Sequence, residues 1–221
     1  LVAEIDGDVG GQAVCHPIRQ VIAEGGIQAG DIAGMGIDGV GWTLIPVDQN
    51  VKPLAPAMIW LDRRAAAETA WLKSQPQAEQ WVNLAANPLD EAYITPKLLW
   101  LKHHQPEIFD SAHQFLAATG FIAARFTGEF SCDFTQAYGY HFFDIRHECW
   151  DANAAAAIGV PLEKMPRLCA PTEVVGQVTA LAAEETGLRA GIPVIAGCLD
   201  AAAGALGAGV TQPGQTNEQG G

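Results

Sequence analysis

The chain has 221 residues, 49% of them apolar, and a formal net charge of −13. This composition suits a folded domain rather than a disordered segment. An acidic surface repels phosphate backbones, so nucleic acid is not an expected partner. No apolar run approaches the roughly 20 residues needed to cross a membrane, and five scattered cysteines without a C-x-x-C pair indicate reduced thiols in a cytoplasmic protein.

Helix-like and strand-like patterns alternate along the first half of the chain. Val14, Ile18, Val21 and Ile22 form an apolar helical stripe before a glycine stop. Residues 31–50 then read as two strands with a glycine-rich join. Three helices are expected next, over 62–74 with Asp62 as N-cap, over 95–105 with Thr95 as N-cap, and over 115–128.

The second half continues the alternation. Aromatic and β-forming residues over 137–151 favour an extended segment. A strand over 172–179, a helix over 180–188 and a short buried strand over 191–197 follow, and Asp200 is expected to begin the next helix. The mixture predicts an α/β fold.

Two motifs with a chemical reading fail on their context. Gly34, Gly36 and Gly39 match the G-x-G-x-x-G dinucleotide fingerprint, which requires a helix directly after the loop. The residues that follow are strand-like, so no dinucleotide site is expected. His141, Asp144 and His147 would share a helix face, but an extended segment places them on alternating faces, so we expect no metal site there.

Asp200 is the strongest candidate for chemistry. It stands where the apolar run "PVIAGCL" becomes the small-residue run "AAAGALG". A carboxylate at a helix N-terminus is stabilised by the helix dipole without any function. The surrounding Ala and Gly residues are too small to cover it, which also suits a general base that takes a proton from a substrate hydroxyl.

The segment "WLDRR" (residues 60–64) has two readings. Asp62 would be a helix N-cap followed by solvent-exposed arginines. Alternatively, the acid and the guanidinium groups would form the polar floor of a pocket at the carboxyl end of a strand, where α/β folds usually bind ligands.

Six blocks together resemble the FGGY family of carbohydrate kinases, in family order from about Ile32 onward. They are "GIDGVGWTLIPVD", "PLAPAMIWLDRRAAAE", "TPKLLWLKHHQPEIF", "FTGEFSCDFTQAYGYHFFDIRHECWD", "VVGQVT" and "GIPVIAGCLDAAAGALGAGVTQPG". The resemblance is closest to the xylulokinase-like branch, through "TPKLLWLK" and the Asp200 block.

The resemblance implies a ribonuclease-H-like domain of the actin/hexokinase type, with a mixed sheet flanked by helices. Residues 1–221 would be most of the N-terminal, sugar-binding domain. We expect the phosphate-loop strands upstream and the C-terminal ATP-binding domain to be missing, so that the chain alone lacks kinase activity. The implied function is ATP-dependent phosphorylation of a sugar or polyol, with ATP and Mg²⁺ as cofactors and a homodimer as the assembly. The alternative is a non-catalytic sugar-binding sensor or regulator.

Position by position, Asp200 matches the catalytic aspartate of the family, whose implied role is to accept the proton of the attacking hydroxyl. Gly41 and Trp42 fall where relatives keep Met-His or Arg-Glu, two sugar-contacting residues. Ala201 replaces an Asn or Gln that often helps to bind substrate. These departures imply a substrate outside the standard pentulose and glycerol set.

The remaining matched positions are less central. Asp62 and Arg64 match the family's W-x-D-x-R block near the substrate cleft, and Tyr93 lies within one residue of another substrate-lining position. Gly220 and Gly221 stand where a variant of the family's phosphate loop would begin, which makes them candidate cofactor-binding residues.

Overall fold

A computed structural model describes residues 1–218, apart from the side chains of residues 8–12. Ten α-helices lie in this part of the chain: α1 Gly7–Glu24, α2 Ala66–Ser74, α3 Ala78–Ala85, α4 Ile94–His104, α5 Pro106–Ser111, α6 Ala118–Thr127, α7 Phe134–Ala137, α8 Ala152–Ile158, α9 Ala180–Thr186 and α10 Asp200–Gly207. None of the helices described is both long enough and apolar enough to cross a membrane.

Twelve short strands accompany the helices in the same part of the chain. They are β1 Glu4–Ile5, β2 Asp38–Gly39, β3 Ile45–Val47, β4 Ala57–Met58, β5 Gln114–Leu116, β6 Ser131–Asp133, β7 Phe143–Asp144, β8 Cys149–Trp150, β9 Arg167–Cys169, β10 Val174–Gln177, β11 Pro193–Ile195 and β12 Cys198–Leu199.

The strands form six described pairs that mix both directions. β2 with β12 and β6 with β9 are parallel. The other four pairs, β1–β4, β3–β5, β7–β8 and β10–β11, are antiparallel. Single bridges at Leu44–Met58 and Met35–Val194 connect neighbouring pairs. The arrangement is therefore a mixed α/β architecture, as the sequence pattern predicts.

The largest apolar cluster lies around α4. Leu98, Leu99 and Leu101 of this helix are buried together with Trp81 and Phe115, which come from α3 and β5. A second cluster packs the inner face of α1 against β11. Val14, Ile18 and Ile22 belong to that cluster, as the apolar stripe predicts, whereas Val21 is 62% exposed because it points away from the sheet.

Two predicted helix caps are wrong. Helix α2 begins at Ala66, and Asp62 lies too far upstream to cap it. Helix α4 begins at Ile94, with Tyr93 as N-cap in an extended conformation. Thr95 is inside that helix, where its hydroxyl accepts the backbone N–H of His141 at 2.8 Å. The Thr95 hydroxyl binds a distant backbone group, and the Asp62 carboxylate accepts the backbone N–H of distant Ala3 as well as that of nearby Arg64.

Several helix ends agree with the sequence. Gly128 follows the last residue of α6 and Gly187 that of α9, and both are in the left-handed conformation that favours glycine. Residues 137–151 are less extended than expected, since only β7 and β8 are strands and a turn joins them. Helix α10 begins at Asp200, as predicted.

Candidate active site

Asp200 and Trp42 follow the carboxyl ends of two strands that pair with each other. β2 and β12 are parallel and in register over both of their residues. Asp200 comes directly after β12, while Gly41 and Trp42 come two and three residues after β2. Because parallel strands end at the same edge of a sheet, the pairing brings these residues to one place, the usual position of a ligand in an α/β fold.

A glycine fixes the approach to Asp200. Gly197 has φ +81°, and a Cβ atom there would overlap the carbonyl oxygen of Ile37. The next residue, Cys198, donates its backbone N–H to that same carbonyl at 2.9 Å. Only glycine allows both the left-handed turn and this close approach of the two backbones. Gly197 therefore fixes the point at which β12 begins to pair with β2.

A hydrogen-bonded chain holds the other end of β12. The backbone N–H of Leu199 donates to the hydroxyl of Thr135 at 2.8 Å. The Thr135 hydroxyl donates in turn to the buried carboxylate of Asp133, which also accepts the hydroxyl of Thr119 at 2.9 Å. Burial raises the pKa of Asp133, and these hydrogen bonds partly offset that rise. The position of Asp200 is thus fixed by the residue before it.

The Asp200 side chain itself is exposed. Its Oδ1 atom accepts the backbone N–H of Ala201 at 2.8 Å, and it forms no ion pair with any residue that the structure describes. No residue of α10 is buried, so the small side chains leave the carboxylate open. This agrees with the sequence prediction of an accessible acid at a helix N-terminus.

Trp42 is held in a conformation that is rare for a non-glycine residue. Its φ is +54°, which costs on the order of 1 kcal/mol unless surrounding contacts stabilise it. Gln136 supplies part of that support: its Oε1 accepts the backbone N–H of Trp42 at 3.4 Å, and its Nε2 donates to the carbonyls of Gly39 and Val40 at 3.3 Å each. Gly139 lies under the indole ring, where a Cβ atom would collide with it.

An aromatic cluster surrounds the indole ring. Its centroid lies 4.5 Å from that of Tyr93 and 5.7 Å from that of Tyr138, and Tyr93 packs edge-on against His141 at 5.5 Å. Burial raises the pKa of Tyr138 to about 12, and the negative charge of Asp200 contributes to the rise. The Trp42 Nε1–H is buried without a well-aligned acceptor in the described part of the chain, although its proximity lowers the pKa of Tyr138.

Asp62 and Arg64 face each other rather than these aromatic residues. Asp62 is fully buried and accepts hydrogen bonds from the backbone and side chain of Arg64 and from the backbone N–H of Ala3. Burial alone would raise the pKa of Asp62, but these hydrogen bonds hold it below its usual value. Arg64 also pairs with Glu4 at 2.6 Å and lies over the ring of Trp100. Arg64 is therefore not the solvent-exposed arginine of the capping alternative.

Sequence reasoning missed Lys97. This side chain is fully buried, and its Nζ donates to the carbonyl oxygens of Trp42 and Ala92 at 2.7 Å each. Burial lowers its pKa to about 7. The available signal is that Lys97 falls on the apolar stripe of α4, between Ile94 and Leu101 at helical spacing. A lysine on such a stripe needs partners inside the protein.

The remaining expectations from the sequence concern the two C-terminal glycines and the histidines on either side of Asp144. Gly220 and Gly221 lie outside the described residues. His147 pairs with Asp144 on the surface at 2.6 Å, whereas the ring of His141 is buried and contacts the carbonyl of Pro88. Among residues 1–218, no group of three or more acidic, histidine or cysteine side chains could hold a metal ion.

Comparison with known proteins identifies the family. The N-terminal domain of the FGGY family of carbohydrate kinases matches residues 3–207. The chain is 34% identical to the xylulose kinase of Escherichia coli over 188 residues, which are 84% of this chain and 38% of that protein. It is 28% identical to the xylulose kinase of Bacillus subtilis over 205 residues, or 93% of this chain and 41% of that protein.

Solved structures agree with this match. The crystal structure of xylulose kinase from Rhodospirillum rubrum superimposes with a TM-score of 0.89 at 28% identity, covering 96% of this chain and 44% of that one. The chain therefore belongs to the FGGY family of carbohydrate kinases and has the actin/hexokinase-like α/β fold of these sugar kinases. It spans about two fifths of the length of the curated relatives that it matches.

Proposed function

We propose that this chain is most of the sugar-binding domain of a cytoplasmic kinase that transfers the γ-phosphate of ATP to a hydroxyl of a ketose-like sugar or a polyol. The observation that carries this proposal is the shared end of β2 and β12. There the open carboxylate of Asp200, which forms no ion pair with the described residues, lies at the same sheet edge as the rings of Trp42 and Tyr93, here called the aromatic wall. Family membership supports the reaction class, and the relatives named above are xylulose kinases.

Asp200 is the proposed general base. Its carboxylate is exposed, receives one hydrogen bond from its own helix and is not neutralised by a cation among the described residues. A substrate hydroxyl that donates a hydrogen bond to Asp200 would transfer its proton there while its oxygen attacks the γ-phosphorus. The bond from that phosphorus to the bridging oxygen of ADP breaks in the same displacement.

Gly41, Trp42 and Tyr93 would line the sugar. The flat ring of Trp42 suits contact with the apolar face of a sugar, and its buried Nε1–H has no well-aligned acceptor among the residues that the structure describes. Gly41 packs on Leu199, directly before the base, where a side chain would collide. Ala201 adds no polar group beside Asp200, so specificity would depend more on this wall than on side-chain hydrogen bonds.

The donor side of the reaction is expected to come from beyond this chain. ATP with Mg²⁺ supplies the phosphoryl group and neutralises its charge. The described residues offer Asp200 as an exposed acid but no ligand cluster for a metal ion. We therefore propose that the 221-residue chain binds sugar without turnover, and that a C-terminal domain like that of the relatives, in a dimeric enzyme, completes the site.

A ligand titration tests the proposal. The chain is titrated by calorimetry with D-xylulose, L-xylulose, D-gluconate and glycerol. In a second experiment, residues 3–207 of this chain replace the matched segment of the Escherichia coli xylulose kinase. This chimera is then assayed for phosphorylation with MgATP. We expect at least one sugar to bind the chain and the same sugar to be phosphorylated by the chimera. A folded chimera that binds a sugar but never phosphorylates it would contradict the kinase assignment.

The second candidate is a sugar sensor without catalysis. The alanine at position 201, where kinases of this family commonly keep an amide side chain, favours it. Turnover in the chimera separates the two functions: a sensor domain should be stabilised by sugar in thermal unfolding without supporting phosphorylation, whereas a kinase domain should bind the sugar and support its phosphorylation. An exposed aspartate at position 200, which matches the catalytic aspartate of the family, favours the kinase, because a sensor needs no base.

A further inference from the structure

Lys97 joins the two chain segments that carry the aromatic wall. Its Nζ donates to the carbonyl of Trp42 and to the carbonyl of Ala92, the residue directly before Tyr93, at 2.7 Å each. These carbonyls are separated by 50 residues of sequence, and α4 lies behind both of them. One buried ammonium group is therefore a common anchor for the backbone of Trp42 and for that of Tyr93.

The positive charge of buried Lys97 is not balanced by a contacting carboxylate among the described residues. It forms no ion pair with any residue in the part of the chain that the structure describes, and its side chain is fully buried. The charged groups that influence it are Asp62, Arg63 and Arg64 from the loop after β4, and Asp90 from the loop before α4. Burying an ammonium group here costs free energy, and the two hydrogen bonds to the carbonyls of Trp42 and Ala92 offset part of that cost.

One of the two Lys97 hydrogen bonds holds Trp42, a residue with a strained backbone at the proposed substrate site. Trp42 has a positive φ, and such a conformation persists only where neighbouring contacts determine it. The Lys97 hydrogen bond acts on the Trp42 carbonyl, on the opposite side of the residue from the Gln136 contact to its N–H. These two contacts hold the Trp42 backbone on both sides, and its indole ring lies at 51° to the ring of Tyr93.

We propose that Lys97 is a positioning residue for substrate recognition: it fixes the Trp42–Tyr93 ring pair as one rigid wall of the sugar pocket. The inference rests on the proposed function, since the wall matters only if a sugar binds against it. Lys97 acts through the two rings and does not touch the substrate. Its loss should therefore weaken sugar binding while leaving the reaction of bound sugar largely unchanged.

The test compares Lys97→Met with Lys102→Met. Both lysines lie on α4 and donate to a backbone carbonyl at 2.7 Å, but Lys102 contacts Gly159, away from the aromatic wall. In the chimera described above, with D-xylulose as the probe, Lys97→Met should raise KM tenfold or more and change kcat by less than threefold. Lys102→Met should leave both constants within twofold of the parent.

An NMR measurement on the 221-residue chain gives a readout without ligand. The indole N–H signal of Trp42, assigned by its loss in Trp42→Phe, should shift and broaden in Lys97→Met and stay in place in Lys102→Met. An unchanged signal together with an unchanged KM in a folded Lys97→Met protein would overturn the positioning role. A parent chain and chimera that neither bind nor phosphorylate D-xylulose would instead contradict the proposed function for that sugar, and the pocket role with it.

If Lys97→Met does not fold, a crystal structure of the parent chain soaked with D-xylulose decides the question. The sugar should contact the ring of Trp42 or of Tyr93. A bound sugar that touches neither ring would overturn the role of Lys97 while leaving the kinase proposal intact.

Discussion

Two carboxylates predicted from the sequence as site residues have opposite surroundings. Asp62 is fully buried and receives hydrogen bonds from the backbone and guanidinium of Arg64 and from Ala3. Asp200 is exposed and receives one, from the residue after it. The comparison teaches that an acid whose lone pairs are all occupied stabilises the fold, whereas an acid left open is free to accept a proton from a ligand.

The same contrast explains how the two regions are built. The Asp62 region closes on itself, because Arg64 is only 11% exposed and binds both Asp62 and Glu4. The Asp200 region is supported from behind, through Gly197, Thr135 and the paired strands, while its front stays free. In this molecule, rigid support and an open carboxylate are supplied by different residues.

The largest expected effect is a loss of turnover at Asp200 with little change in the free energy of unfolding. Asp200→Asn in the chimera should lower kcat by about 10²-fold or more, because the amide cannot accept the hydroxyl proton. Sugar affinity, measured by calorimetry on the chain, should change less than threefold. The free energy of unfolding should change by less than about 1 kcal/mol, the usual scale for an exposed charge at a helix N-terminus. Turnover near that of the parent chimera would rule out the general-base role.

The opposite pattern is expected at Asp62. Asp62→Ala removes the buried partner of Arg64 and should lower the free energy of unfolding by about 3 kcal/mol. Glu173→Ala is the matched control: it breaks the 2.6 Å pair with Arg167, in which both side chains are about half exposed, and should cost less than about 1 kcal/mol. Urea unfolding measures both. Equal losses in the two variants would show that Asp62 is not a structural ion-pair partner.

The surroundings of Asp200 were predicted from the sequence better than those of Asp62. A strand followed by small residues was enough to place Asp200 at the start of a helix, because both signals are local. The caps assigned to Asp62 and Thr95 were wrong, because each side chain binds a backbone group that is distant in sequence, on Ala3 and on His141, instead of the first turn of the following helix. Local propensity cannot identify such partners.

Lys97 shows the same limit in another form. Its position on an apolar helical stripe could be read from the sequence, but the carbonyl of Trp42 that it binds lies 55 residues away. The family resemblance supplied the order of the blocks and the candidate base. It did not supply the hydrogen bonds that hold Trp42 at a positive φ, since those depend on how α4, α7 and the turn after β2 pack together.

The pH dependence of stability distinguishes buried His141, which packs against Tyr93, from Asp62. Burial lowers the pKa of His141 to about 4 from its usual 6.5, and its contact with the Pro88 carbonyl only partly offsets this. At this residue the unfolded chain therefore binds more protons than the folded one between pH 6.5 and 4, so the contribution of His141 to stability is complete above pH 6.5 and is lost as the pH drops through this window. The loss from this group should be about 3 kcal/mol.

Urea unfolding at pH 7.0, 5.5 and 4.5 measures this dependence, and His141→Gln should flatten it. The stabilising contribution of Asp62 is lost only below its usual value of 3.8, because its folded pKa is lowered, so it does not enter the same window. A His141→Gln protein that keeps the full slope between pH 7.0 and 4.5 would show that another group titrates there.

The smallest expected effect concerns the second carboxylate on Arg64. Glu4→Gln removes the 2.6 Å ion pair with Arg64 but leaves the guanidinium bound to Asp62. Because the Glu4 side chain is 36% exposed, water replaces much of the lost interaction, and the free energy of unfolding should fall by less than about 1 kcal/mol. A loss as large as that of Asp62→Ala would mean that Glu4, and not burial of Asp62, holds Arg64 in place. Because Arg64 is the partner in both variants, their difference measures how much more the buried carboxylate, with its added hydrogen bond from Ala3, contributes than the partly exposed one.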